Sequence, residues 1–127
     1  MKLLLDSNIF IWAVTGDPRL TLAQRAYYSG GENELYLSVA SIWEMLIKAG
    51  LGKLTFKAPA AHFIAEQMDK NRVHTLAIHF SHLTELEFLP LIHRDPFDRM
   101  IIAQARAEKM PILSSDSTLR KYDVTLL

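Results

Sequence analysis

The chain has 127 residues, and 14 Lys and Arg balance 14 Asp and Glu, so overall charge gives no footprint for nonspecific nucleic-acid or membrane binding. Cysteine is absent, which excludes disulfides, thiolate catalysis and cysteine-ligated zinc and fits a reducing cytoplasm. The length suits one domain, residues 1–127, and no secretory leader or bilayer-length apolar run of ~20 residues is visible.

Leu3-Leu4-Leu5 reads as a central strand, because an apolar run without polar alternation is covered on both faces, as in a parallel sheet between helix layers. It stops at Asp6-Ser7-Asn8, any of which can cap the short helix marked by Ile9, Phe10, Trp12 and Ala13 and ended by Gly16-Asp17-Pro18. Thr21 to Tyr28 is a second helix with Leu22, Ala26 and Tyr27 on its packed face. Leu35 to Val39 is a strand, followed by a helix from about Ser41 to the Gly50-Leu51-Gly52 stop. Lys53 to Phe56 forms an extended link, Pro59 opens a helix reaching about Lys70, and Val73 to Ile78 is a third strand. His79 to Leu89 reads as a short helix with Leu83, Leu86 and Phe88 inward. Asp95 and Pro96 then supply an N-cap and a first-position proline for a helix through Ala105. Pro111 to Leu113 is a fourth strand, Ser117 to Tyr122 a last short helix and Val124 to Leu127 a closing strand. This alternation predicts a three-layer α/β/α sandwich with a mainly parallel central sheet.

Ligands of such sheets bind beyond the carboxyl ends of the strands, where the strand order reverses, so Asp6 is placed in that crevice. Asp116 repeats the strand-to-helix arrangement, and for each of these two a helix cap is the plain alternative. Asp98 shares its helix face with Ile101, Ile102 and Ala105, which aims it at the core side. Glu44 is flanked by Ile42, Trp43, Met45, Leu46 and Ile47, its alternative being a surface pair with Lys48. Carboxylates brought together raise one another's pKa unless a cation sits among them, and an all-oxygen cluster suits Mg²⁺ or Mn²⁺. Such a site hydrolyses phosphodiesters. Asp6 and Asp98 are the expected direct ligands, with Glu44 and Asp116 on a second metal or on its waters. Ser7, Asn8 and Ser114 are candidates to orient them, and Arg94 and Arg99 to touch phosphate, with Lys48 further out. The histidines show no ligand spacing, and only His93 lies near the acids.

Leu3-Leu4-Leu5-Asp6-Ser7-Asn8, Ser38-x-x-Ser41-x-x-Glu44, Asp95-Pro96-Phe97-Asp98-Arg99 and Leu113-Ser114-Ser115-Asp116 resemble, in this order, the PIN-domain nucleases, and among them the VapC-like toxins of type II toxin–antitoxin systems. The resemblance implies a PIN-like fold and a Mg²⁺- or Mn²⁺-dependent ribonuclease. Asp6, Glu44 and Asp98 take the places of the three principal acids and Asp116 that of the fourth, more variable one. It also implies an RNA substrate such as tRNA, a homodimer and a small antitoxin partner. Asp95 is expected to be the helix cap first and an auxiliary of the metal site second. The competing reading is a PIN-fold RNA- or protein-binding module that does not cleave. A phosphoacceptor receiver domain and a haloacid-type phosphatase both need a second acid just after Asp6, where this chain has Ser7 and Asn8.

Overall fold

The computed structural model describes residues 1–57 and 59–127. Leu3, Leu4 and Leu5 are wholly buried in β1 (Lys2–Leu5), as an unbroken apolar strand requires. With β2 (Glu34–Ser38), β3 (Val73–Leu76) and β4 (Ile112–Leu113), it forms a sheet of order β3-β2-β1-β4 in which every pairing is parallel. Leu3 pairs with Leu35, and Leu5 with Leu113.

Successive side chains of a strand point to opposite faces, and the three leucines divide accordingly. Leu3 and Leu5 join Leu35, Leu37 and Val73 in one core, covered by Ile9 and Phe10 of α1 (Ser7–Thr15), Met45 of α3 (Val39–Gly50), and Ile64 and Met68 of α4 (Ala60–Lys70). Leu4 and Ile112 face the other core, made with Ile101, Ile102 and Ala105 of α6 (Pro96–Glu108) and with Leu119 and Tyr122. Each fully buried leucine contributes ~1.5–3 kcal/mol over exposure. The remaining helices, α2 (Leu22–Ser29) and α5 (Phe80–Glu87), pack on α1 and α6 respectively. The layers are those of an α/β/α sandwich. Because the chain adds β2 and β3 on one side of β1 and β4 on the other, the order reverses at β1, and its carboxyl end opens a crevice at Asp6.

Several elements depart from the expected bounds or faces. In α2, Leu22 is 87% exposed and Ala26 is also exposed, and the helix rests instead on half-buried Tyr27 and Tyr28 and on a capping box between Thr21 and Gln24. In α5, Leu83 and Phe88 face outward, whereas His82 is wholly buried. His82 tolerates this because its Nδ1 accepts the His79 backbone N–H at 3.0 Å and its Nε2 meets Glu108 at 3.3 Å. The phase of α5 therefore follows the fit to α6. Lys53 to Phe56 is a link outside the sheet, where Phe56 stacks on Phe63 at 4.7 Å between ring centroids. Val73 to Ile78 is a strand only as far as Leu76, and Val124 to Leu127 contributes a single parallel bridge between Leu126 and Ile112.

Candidate metal centre

Asp6 follows β1 as the N-cap residue of α1, but its side chain makes no capping bond. Its backbone N–H donates to the Leu113 carbonyl at 3.0 Å, tying it to the end of β4, and its Oδ2 accepts the Ser114 hydroxyl at 2.6 Å. The carboxylate therefore meets Ser114 beyond β4 and faces the crevice. Asp116 behaves differently: Oδ1 accepts the Thr118 N–H at 2.9 Å as a cap, and Oδ2 lies 2.9 Å from His93 Nε2.

Glu44 is brought in by α3, buried on the side facing α1, where the Ser7 hydroxyl donates to its Oε1 at 3.0 Å. Its Oε2 lies 3.5 Å from Lys48 Nζ, so the anticipated pair with Lys48 is also present. Asp98 stands in the first turn of α6, whose start is fixed by Pro96 and by Asp95, the Oδ1 of which accepts the backbone N–H groups of Phe97 at 2.8 Å and Asp98 at 3.2 Å. Asp95 thus caps the helix as anticipated. It also belongs to the tightest acidic group among the described residues: Glu44, Asp95 and Asp98 each offer an oxygen within 4.8 Å of the others.

Asp6, Glu44, Asp98 and Asp116 line one cleft of about 320 Å³, together with Asp95, Ser7, Asn8 and Lys48. Five carboxylates thus face one amine. Burial, followed by repulsion from Asp95, Asp6 and Glu44, pushes the Asp98 pKa up to about 6, with His93 opposing. Burial also raises Asp6, against the bonds from Ser114 and the Ser7 backbone that favour its charged form. For Asp116, burial works upward but the His93 and Thr118 bonds outweigh it, and the pKa is lowered. The excess of negative charge and the all-oxygen donors fit a hard divalent cation of the Mg²⁺ or Mn²⁺ type.

Other anticipated contacts fall elsewhere. The Arg99 guanidinium donates to the Pro90 carbonyl at 2.8 Å and reaches that of Leu89, so it holds the loop between α5 and α6 instead of entering the cleft. Arg94 is exposed and does not line the cleft. Tyr122, which no local pattern singled out, bonds both the His93 backbone and its ring. Only spatial proximity reveals it.

The family model described as "PIN domain" matches residues 3–124. No curated protein matches the sequence. Among solved structures, the chain is similar to VapBC2 from Rickettsia felis bound to a DNA fragment from its promoter, at 15% identity with a TM-score of 0.74, covering 100% of this chain and 98% of that one. It is also similar to VapBC-1 from nontypeable Haemophilus influenzae, at 18% identity, TM-score 0.70 and coverage of 100% and 97%. A toxin–antitoxin complex from Klebsiella pneumoniae matches at 16% identity, TM-score 0.60 and coverage of 91% and 87%. These likenesses establish a shared fold, and with the family model spanning almost the whole sequence and the acids gathered beyond β1, the chain belongs to the PIN domain family.

Proposed function

We propose that the chain is a Mg²⁺- or Mn²⁺-dependent endoribonuclease and the toxin of a type II toxin–antitoxin pair. The observation that carries this is the convergence of Asp6, Glu44, Asp98 and Asp116 on one cleft from four separate segments, with Asp6 released from capping. The toxin–antitoxin structures among the fold relatives support the biological half.

Asp6, Glu44 and Asp98 are the residues that would hold the metal, with Asp116 serving a second ion or its waters and Asp95 as an auxiliary. When bound, the metal supplies charge neutralisation of the phosphodiester and activation of the attacking water. Ser7 keeps Glu44 Oε1 in place and Ser114 keeps Asp6 Oδ2 in place, so two donors are oriented before loading. The Asp98 carboxyl holds a proton below about pH 6 and must release it for the site to load. Lys48 is the lining cation available to meet a phosphate oxygen. RNA, with tRNA as the first candidate, is the substrate class. Exposed Trp43 and Ile47 of α3, with Leu51 just past its end, leave an apolar stripe, which suits protein partners: a second copy of this chain and a small antitoxin. No helix among the described residues is long and apolar enough to cross a membrane, and the cytoplasm is the proposed location.

The test is cleavage of a labelled total tRNA pool with Mg²⁺ or Mn²⁺, with chelator, and by Asp98→Asn. Discrete products that need the metal and vanish in the variant are expected. Equal cleavage by both proteins refutes the site. Metal uptake by the wild type without any cleavage favours the non-cleaving binding module.

A further inference from the structure

The bonds around Asp116 extend beyond the cleft. Tyr122 is 5% exposed, and its Oη accepts the His93 backbone N–H at 2.8 Å while lying 2.9 Å from His93 Nδ1. On the far side of the ring, Nε2 is 2.9 Å from Asp116 Oδ2. A carboxylate only accepts, so Nε2 bears the hydrogen and donates. On the other side, Nδ1 and the Tyr122 hydroxyl bond to each other, since a phenol both donates and accepts. The connections continue inward: the Asp116 N–H donates to Ser114 Oγ at 3.0 Å, and Ser114 donates to Asp6 Oδ2 at 2.6 Å. Tyr122, His93, Asp116, Ser114 and Asp6 therefore form one hydrogen-bonded chain.

We propose that Tyr122 and His93 are positioning residues, which fix the orientation of the Asp116 carboxylate and so set what that acid can hold in the cleft. The proposal rests on the nuclease reading given above. The Asp116 side chain is 39% exposed, against 11% for Glu44, so at the cleft rim its orientation depends on its hydrogen-bond partners. Its two oxygens offer about four lone-pair sites. His93 meets Oδ2 and the Thr118 N–H meets Oδ1, and the carboxylate keeps lone-pair capacity for a metal or water. A carboxylate held this way loses little rotational freedom on binding, and removal of such outer partners typically costs ~10–100-fold in metal affinity or activity. The plain alternative is a structural clasp that joins the loop before α6 to the C-terminal segment.

Two readouts separate them: Mn²⁺ uptake by the metal-free chain, followed by electron paramagnetic resonance of free Mn²⁺, and kcat and KM on labelled tRNA. Tyr122→Phe keeps the ring and removes one hydroxyl; His93→Ala removes the donor, and His93→Gln restores an amide donor of similar reach. Tyr122→Phe and His93→Ala are expected to weaken Mn²⁺ uptake ~10-fold and to lower kcat with little change in KM, and His93→Gln to recover most of both. In an Asp116→Asn background, Tyr122→Phe is expected to add less than about a twofold loss of uptake, because its effect runs through Asp116. Wild-type uptake and kcat in Tyr122→Phe overturn the proposal, as does an undiminished loss in the Asp116→Asn background, which a clasp would give. A wild-type chain that takes up no Mn²⁺ overturns the nuclease reading itself.

Discussion

Asp98 occupies the first turn of α6, where a carboxylate complements the helix dipole, yet burial and then the neighbouring charges push its pKa up to about 6 from an ordinary 3.8. The folded chain holds this proton more tightly than the unfolded chain does. Where the native state binds more protons, stability falls as pH rises, so the metal-free protein loses stability between about pH 4 and pH 6 and stays at the lower level above that. Asp98→Asn removes the titration. In the presence of chelator, the variant is expected to melt a few degrees above the wild type at pH 7.5, with the gap closing as pH falls toward the unfolded-state value of 3.8, by differential scanning calorimetry. A wild type as stable as the variant at pH 7.5 would show that repulsion in the cleft is not felt. The sequence located Asp98 on an apolar helix face, but the size and sign of this effect depend on Asp95, Asp6 and Glu44 meeting it in space.

The start of α6 combines two uses of one residue. Asp95 satisfies the Phe97 and Asp98 N–H groups through Oδ1 and also belongs to the acidic group with Glu44 and Asp98. The two uses come apart in substitution. Asp95→Ala should cost ~1 kcal/mol in urea denaturation through loss of the cap, whereas Asp95→Asn keeps an accepting oxygen and should cost only a few tenths. If Asp95→Asn keeps stability but loses Mg²⁺ affinity, the residue is a ligand as well as a cap; unchanged affinity assigns it to the helix alone. The Asp-Pro start was legible because capping and the fixed φ of proline act within a few residues. The orientation of α5 was not, since apolar spacing sets a helical period while packing against α6, through His82 and Glu108, sets the phase.

The four expected acids sit on segments that meet only in the folded chain, so a metal bound by them binds the native state alone. Mg²⁺ or Mn²⁺ at ~100 times its dissociation constant should therefore stabilise the protein by about 2.7 kcal/mol, reversed by chelator and absent in Asp98→Asn. Thermal shift against metal concentration measures this, and an equal rise in the variant would place the ion elsewhere. The same fold depends on β1, whose leucines enter both cores. Leu4→Ala is expected to lower stability by ~2–5 kcal/mol in urea titration, through lost burial and a cavity between the sheet and α6.

The layered α/β order, the central buried strand, the capped start of α6 and the candidate acids were legible in the amino-acid order, because periodicity, proline and capping chemistry are local properties read over a few residues. Tertiary structure decided how each of those acids is held. Asp6 and Asp116 look alike in sequence, each a carboxylate between a strand and a short helix. Asp6 is turned from capping by Ser114, 108 residues away, while Asp116 is held by His93 and, behind it, Tyr122. Hydrogen bonds between segments so distant along the chain exist only once the parallel sheet has placed β1 beside β4, so local pattern carries no trace of them.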